Sequence, residues 1–346
     1  MKKRVTYKDS GVDIEAADQA KSKIKSLAKT TFTPEVLSEL GKFGGFFALK
    51  KEYKEPVLIS STDSVGTKLK VAFMMNKHDT IGQDIVNHCV NDILVHGAKP
   101  LFFLDYIGTS RLSPRVMKDI IKGLSRGCKK AGCALIGGEM AEMPGFYKPS
   151  EYDLVGFIVG VVKKNEIIDG RKIKPGDQIL GLRSNGLHTN GYSLAREAIF
   201  KLGKFKVNDY VSQLRTTVGK ELLKVHKSYL NSVFAILGEH EIKGMAHITG
   251  GGIGGNLVRI LPENCKAIID IESWRPNPIF DFIQKLGNIE NKEMFRVFNM
   301  GIGWIMVVSP KNAEKVQKKL SQLREKVYRI GKIESGKREV KLINLI

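Results

Sequence analysis

The sequence predicts two α/β domains, divided near residue 168, and three observations predict them. A chain of 346 residues is longer than one hydrophobic core usually fills. Strand-like apolar runs alternate with stretches of helical periodicity along its whole length. Between Lys163 and Asp177 the pattern breaks into a polar, turn-rich stretch containing Asp169-Gly170 and Pro175-Gly176, where we place the boundary. The expected domains are therefore 1–168 and 169–346.

In the first domain a helix is expected from Ile14 to Ala28, followed by a flexible glycine-rich piece, Leu40 to Phe47. Strands are expected at Pro56–Ser61, Leu101–Asp105, Ala134–Ile136 and Leu154–Val162. Thr80–His96 reads as a helix with few exposed positions. Ser113-Pro114 is a cap with a first-turn proline, and Val116, Ile120, Leu124 and Cys128 then repeat every four residues. In the second domain strands are expected at Gln178–Leu182, Ala267–Ile271 and Trp304–Val308. Helices are expected at Tyr192–Lys201, Pro278–Leu286 and from Ser309-Pro310 to about Leu323.

Composition narrows the classes of function. With 42% hydrophobic and 27% charged residues the chain is an ordinary folded protein, not a disordered or collagenous one. No apolar run approaches the roughly 18 residues of a membrane helix. The basic start has no apolar stretch behind it, so no signal peptide is expected. Four cysteines, Cys89, Cys128, Cys133 and Cys265, form neither a disulfide framework nor a zinc motif, which points to a reducing compartment. The net charge of +20 suits an acidic partner, nucleic acid or phosphorylated metabolite. The lysines are spread evenly, however, with no basic tail and no Arg–aromatic stripe, so a generally basic solvated surface is preferred to specific nucleic-acid binding.

Several loops carry the chemistry. Ser61-Thr62-Asp63-Ser64-Val65-Gly66-Thr67-Lys68 follows an apolar strand and joins a carboxylate, hydroxyls, a glycine and a lysine, the groups of a magnesium–phosphate site. A turn with ordinary Asp and Gly capping is the other reading, and the P-loop spacing is absent. Asp92 falls at the edge of the apolar face of its helix, where a carboxylate needs a lysine, backbone donors or a metal unless it reaches solvent. Asn87, Asn91 and Asp84 are read as following the polar side. Ile136-Gly137-Gly138-Glu139 reads as a strand ending beside a ligand, with Glu139 as a metal candidate. Asp63, Asp92 and Glu139 together are consistent with one Mg2+ site assembled by folding. In the second domain His188, in the loop Arg183–Ser193, is either a hydrogen-bond and proton group or a structural histidine. Gly250 to Gly255 holds five glycines in six positions, suited to phosphate or nucleotide contact, but is not a dinucleotide fingerprint.

These motifs in this order resemble the phosphoribosylformylglycinamidine cyclo-ligase (aminoimidazole ribonucleotide synthetase) family over nearly the full chain. The carrying stretches are Tyr7 to Asp13, Thr62 to Leu69, His78 to Gly82, Cys89 to Asp92, Pro100 to Tyr106, Gly137 to Gly145, His188 to Leu194 and Phe298 to Gly303. The resemblance implies ATP-dependent ring closure of formylglycinamidine ribonucleotide to 5-aminoimidazole ribonucleotide, ADP and phosphate, in purine biosynthesis. It also implies a cytoplasmic homodimer whose first domains pair their sheets into a composite barrel, while the second domain packs its sheet with helices and contributes the substrate cleft. Carried over by matching position, the catalytic roles fall on Asp92, His188 and Lys25. Mg2+ falls to Asp63, Asp92 and Glu139. ATP and substrate fall to Gly44 and Gly45, to Asp63, Ser64, Gly66, Thr67 and Lys68, and to Asp92, Gly138 and Glu139. In the second domain they fall to Asn190 and Gly191 and to Gly250, Gly251 and Gly252. Lys68 and the Gly41–Gly45 piece are expected to cover phosphate charge.

Two stretches depart from the family. Val225-His226-Lys227-Ser228-Tyr229 stands where Pro-Thr-Arg-Ile-Tyr is common. Ile253-Gly254-Gly255-Asn256 replaces an aromatic and glutamate pattern. The competing readings are a small-molecule kinase of the same superfamily (resembling thiamine-monophosphate kinase or selenide water dikinase), a non-enzymatic nucleotide-binding protein, and a basic nucleic-acid binder.

Overall fold

The computed structural model describes residues 6, 9–11, 18 and 24–345. Most of the expected Ile14–Ala28 helix lies outside the described residues; 24–29 is helical. The chain divides into two compact units, Met1–Ile93 with Lys99–Lys163, and Leu94–Ala98 with Lys164–Ile346.

The first unit is built on a four-stranded sheet. Its strands are β1 (Pro56–Ser64), β2 (Lys99–Thr109), β3 (Ala134–Glu142) and β4 (Tyr152–Lys163), in the order β1-β4-β2-β3. Only β2 and β3 are parallel, joined by the crossover helix α3 (Pro114–Ala131); α1 (Leu69–Met75) and α2 (Ile81–Leu94) precede β2. The strands outrun the sequence reading. β1 reaches Ser64 and β3 reaches Glu142, so Asp63 and Glu139 sit inside strands rather than in the loops after them. Polar residues were read as strand ends, but ladder pairing extends through them. Two glycines of β4 bring α2 close to the sheet. A Cβ on Gly156 would stand 2.7 Å from Ile85 Cγ1, and one on Gly160 2.5 Å from Ile93 Cδ1, so no side chain fits at either position.

The second unit carries a six-stranded sheet ordered β12-β9-β11-β5-β10-β8 and a two-residue-per-strand ribbon, β6 (Tyr210–Val211) with β7 (Thr216–Thr217). The strands of the sheet are β5 (Gln178–Arg183), β8 (Gly244–His247), β9 (Cys265–Asp270), β10 (Ile302–Val308), β11 (Val327–Ser335) and β12 (Glu339–Ile343). All neighbours are antiparallel except β9 and β12. Every residue of β10 is buried, as expected of a strand covered on both faces. The helix expected over Tyr192–Lys201 is α-helical only at Tyr192–Arg196 (α4) and continues as a π-helical turn, Glu197–Leu202. Helices α5 (Val218–Leu222), α6 (Leu230–Leu237), α7 (Gly252–Leu257) and α9 (Asn291–Val297) were not anticipated; α8 (Pro278–Gly287) and α10 (Pro310–Gln322) were. The glycine run therefore opens a short helix instead of remaining loop. Among the described residues no helix is long and apolar enough to cross a membrane.

Candidate active site

In the first unit the chemistry gathers on the face of the sheet that α2 covers. Residues 84, 88 and 92 recur every four positions on α2 and so form one stripe. Asp84, at its buried end, accepts a hydrogen bond from Lys68 Nζ at 2.9 Å, and both side chains are fully buried. Next comes His88, whose Nε2 lies 2.8 Å from Asp63 Oδ2 and 3.6 Å from Asp92 Oδ2. Asp92 also accepts from Ser61 Oγ at 3.2 Å. The Asp63 and Asp92 side chains keep 41% and 25% of their surface exposed, so the two carboxylates converge on one buried imidazole while presenting an open edge.

Electrostatics follow this geometry. Burial opposes a charge on His88, but the hydrogen bond that its Nε2–H donates to Asp63 and the charges of Asp92, Asp63 and Asp84 outweigh it and hold the imidazole above its ordinary pKa. For Asp63, burial would raise the pKa, yet the His88 hydrogen bond and charge, aided by the Ser64 N–H, hold it below the usual carboxylate value. Burial pushes the Lys68 ammonium down, against the pull of Asp84.

In the second unit, two loops meet. Asn190 Oδ1 lies 3.4 Å from the place a Cβ on Gly250 would take, which brings the 184–191 loop against the glycine turn. Gly191 and Gly252 are both left-handed, at φ 77 and 61, and a side chain at either would collide with Phe298 or the Phe295 carbonyl. Asn256 fastens the turn: its Nδ2 donates to the carbonyls of Gly252 at 2.8 Å and Gly250 at 3.2 Å, and its Oδ1 accepts from Thr249 at 3.2 Å. Asn299 fastens the other loop, accepting from Ser184 Oγ and donating to the Gly186 carbonyl, both at 2.9 Å. His188 is buried and stacked on His226, with ring centroids 4.2 Å apart.

Comparison with known proteins identifies the family. The family descriptions "AIR synthase related protein, N-terminal domain" and "AIR synthase related protein, C-terminal domain" match residues 49–162 and 174–343. The chain is 52% identical to a phosphoribosylformylglycinamidine cyclo-ligase of Syntrophotalea carbinolica, over 99% of both chains. It is 54% identical to those of Thermodesulfovibrio yellowstonii, over 96% of this chain and 97% of the relative, and of Pseudothermotoga lettingae, over 97% and 98%. The chain belongs to the phosphoribosylformylglycinamidine cyclo-ligase family. Solved structures of thiamine-monophosphate kinase from Stenotrophomonas maltophilia (TM-score 0.65, 14% identity) and of E. coli HypE (TM-score 0.66, 16% identity) each cover 94% of this chain and 95% of their own. At that identity they share its fold.

Against that family the expected site divides in three. Asp63 and Asp92 are brought together, and Ser64, Gly66 and Thr67 follow Asp63 directly, Gly66 and Thr67 exposed on a 3-10 turn. Lys25 is exposed, and its Cε lies 3.2 Å from the place of a Cβ on the left-handed Gly41, at the start of the Gly41–Gly45 piece. That segment, read as a flexible piece, is closed at its base: Leu37 N–H donates to the Phe46 carbonyl and Phe46 N–H to Ser38 Oγ, both at 2.9 Å.

Three expectations need correction. Glu139 does not join Asp63 and Asp92 on one ion within this chain. Asp63 pairs with Gly156, Gly156 with Asp105 and Asp105 with Gly138, so these share the α2 face. Glu139 is the next residue along and faces the other way, three strand spacings or about 14 Å across the sheet. Lys68 does not cover phosphate, because its ammonium is enclosed with Asp84. Asp84, Asn87 and Asn91 are buried, not on a solvated side of α2. His88 was missed, although the Asp84–His88–Asp92 spacing was legible as a stripe. His226 and Asn299 were missed too, since their partners lie far away in sequence.

Proposed function

We propose that the chain closes the imidazole ring of formylglycinamidine ribonucleotide with ATP, yielding 5-aminoimidazole ribonucleotide, ADP and phosphate. The observation that carries this reading is identity above 50% with cyclo-ligases over nearly the whole of both chains. An amide oxygen leaves poorly. Transfer of the γ-phosphoryl group to it gives an iminophosphate; the amidine nitrogen then attacks that carbon, and the C–O bond breaks to release phosphate. Holding nitrogen and carbon adjacent supplies the proximity advantage.

Asp63 and Asp92 fit a hard divalent cation, since two carboxylates converge and each keeps an open edge for an oxygen-ligated ion. When bound, Mg2+ would screen the phosphate charges of ATP and of the transferring group. His88 fixes the separation of the two carboxylates, and Ser61 fixes the rotamer of Asp92. Lys25 and the Gly44–Gly45 segment stand as a phosphate cover, with Gly66, Thr67 and the Ser64 backbone as further contacts. Gly138 and Glu139, on β3, are assigned to nucleotide contact away from that ion. In the second unit Asn190, Gly191 and the Gly250–Gly252 turn bind the ribonucleotide, and buried His188 positions their loop rather than exchanging a proton.

The active form in this reading is a cytoplasmic homodimer. On the face of the first sheet away from α2, Leu58 and Phe157 are 56% and 37% exposed, the kind of apolar surface a second sheet would cover. The test of the whole reading is direct detection of aminoimidazole ribonucleotide from purified protein, ATP, Mg2+ and formylglycinamidine ribonucleotide. Asp92→Asn should lower that rate at least about tenfold, a barrier change of roughly 1.4 kcal/mol. ADP release without the aminoimidazole product would overturn it in favour of a kinase.

A further inference from the structure

Three histidines distant in sequence converge inside the second unit. His188 comes from the loop after β5, His226 from the segment between α5 and α6, and His247 from the last position of β8. All three are buried. His226 is the hub: its ring stacks on His188, its Nε2 lies 3.0 Å from His247 Nε2, and its Nδ1 lies 3.2 Å from Thr189 Oγ1. One ring nitrogen from each histidine lies within 4.8 Å of the other two.

We infer that His188, His226 and His247 form a binding site for a divalent transition metal of the zinc class. Imidazole nitrogen is the donor such ions prefer over oxygen, and three imidazoles complete the protein share of a four-coordinate site. The distances allow it. Three points no more than 4.8 Å apart have a common point within about 2.8 Å of each, and zinc–nitrogen bonds run about 2.0–2.1 Å, so shifts under about 1 Å close the shell. The 3.0 Å approach of two Nε2 atoms is already near the roughly 3.3 Å edge of a tetrahedral zinc site. Thr189 can accept from His226 Nδ1–H, the outer hydrogen bond that leaves Nε2 as the ligating lone pair. His188 aims a nitrogen at the ion by turning its ring against that of His226, so the tilt between the two rings changes while the donor atoms move little. The three donors of this group are all imidazole nitrogens, a set that suits Mg2+ and Ca2+ poorly.

The consequence is mechanical. The ion would staple the 184–191 loop to the 223–229 segment and to the strand that leads into the glycine turn. The inference stands whether or not the reaction assigned above is correct.

The full chain, freed of metal by a chelator, is titrated with zinc by equilibrium dialysis and metal analysis, and with cobalt(II) by visible absorption. One tightly held zinc per chain and an intense tetrahedral cobalt spectrum are expected. His226→Gln and His247→Gln should each weaken binding about a hundredfold, while His240→Gln leaves it unchanged. X-ray absorption at the zinc edge of the wild-type protein should show three imidazole ligands, a readout that does not depend on any variant folding. Failure of the wild type to retain zinc at micromolar free metal overturns the inference. So does a shell with fewer than three imidazoles, or equal affinity in folded His226→Gln. The cluster is then a hydrogen-bonded lock and nothing more.

Discussion

Asp105→Asn should stabilise the first unit strongly at pH 8 and much less at pH 5. Asp105 lies on β2 under the α2 face, its Oδ1 only 2.5 Å from where a Cβ on Gly138 would sit. Burial pushes its pKa from 3.8 up to about 7, against a weaker opposing effect of its own backbone N–H. The buried Cys128 thiol on α3 feels the charge of Asp105, and burial raises its own pKa well above the ordinary value. Below pH 3.8 Asp105 is protonated in both folded and unfolded chains and has no effect on stability. Between 3.8 and 7 the unfolded chain ionises first, so stability falls as pH rises. Above 7 the loss levels off at about three pKa units, roughly 4 kcal/mol. At pH 5 only about 1.6 kcal/mol of it has accrued. Asparagine cannot ionise, so its advantage over the wild type should grow by about 2–3 kcal/mol from pH 5 to pH 8, whatever fixed cost its amide carries. Both tryptophans, Trp274 and Trp304, belong to the second unit, so the assay is urea unfolding followed by far-ultraviolet circular dichroism. A variant destabilised by the same amount at both pH values would refute the reasoning.

Other perturbations have equally definite outcomes. Asp84→Leu leaves the Lys68 ammonium buried without its carboxylate and should cost about 3–5 kcal/mol in thermal or urea unfolding, whereas Lys68→Met/Asp84→Leu should recover most of it. Leu58→Glu places a charge on the open sheet face; light scattering should show the native species near twice 38.5 kDa and the variant at 38.5 kDa. Asn256→Ala frees the glycine turn and should raise KM for the ribonucleotide about tenfold, with kcat for the bound complex less affected. A kcat loss at constant KM would place Asn256 elsewhere in the cycle.

What the sequence showed of this site depended on how local the cause was. Gly156, Gly191 and Gly252 are dictated by close approach, yet nothing beside them in the sequence names Phe103, Phe298 or Phe295 as the obstacle. Asp63 and Asp92 could be singled out because each stands beside an apolar run. Their meeting through His88 depends on how closely α2 approaches β4, a tertiary fact. The mistake over Glu139 has the same origin. Side chains alternate along a strand, so a one-residue difference in register decides which face an acid takes, and register is set by pairing partners that the sequence does not display. The long ladders of β1 and β3 also absorbed Asp63 and Glu139, which polar composition had placed in turns.

The buried Lys68–Asp84 pair gains a purpose once α2 is seen as a graded stripe. When His88 is protonated, two cations, Lys68 and His88, face three carboxylates, Asp84, Asp63 and Asp92, leaving one negative charge in the cluster. Without Lys68, Asp84 would add a second buried negative charge behind His88, at a point where its Coulomb influence already raises that imidazole. The imidazolium would then hold Asp63 and Asp92 more tightly and compete with a divalent cation for the same oxygens. With Lys68 enclosed, Asp84 is balanced from the inside, and only the two carboxylates with open edges would carry negative charge toward the proposed metal–nucleotide complex. In the proposed site the lysine would act on phosphate chemistry without touching phosphate, by setting the charge of the stripe from its buried end.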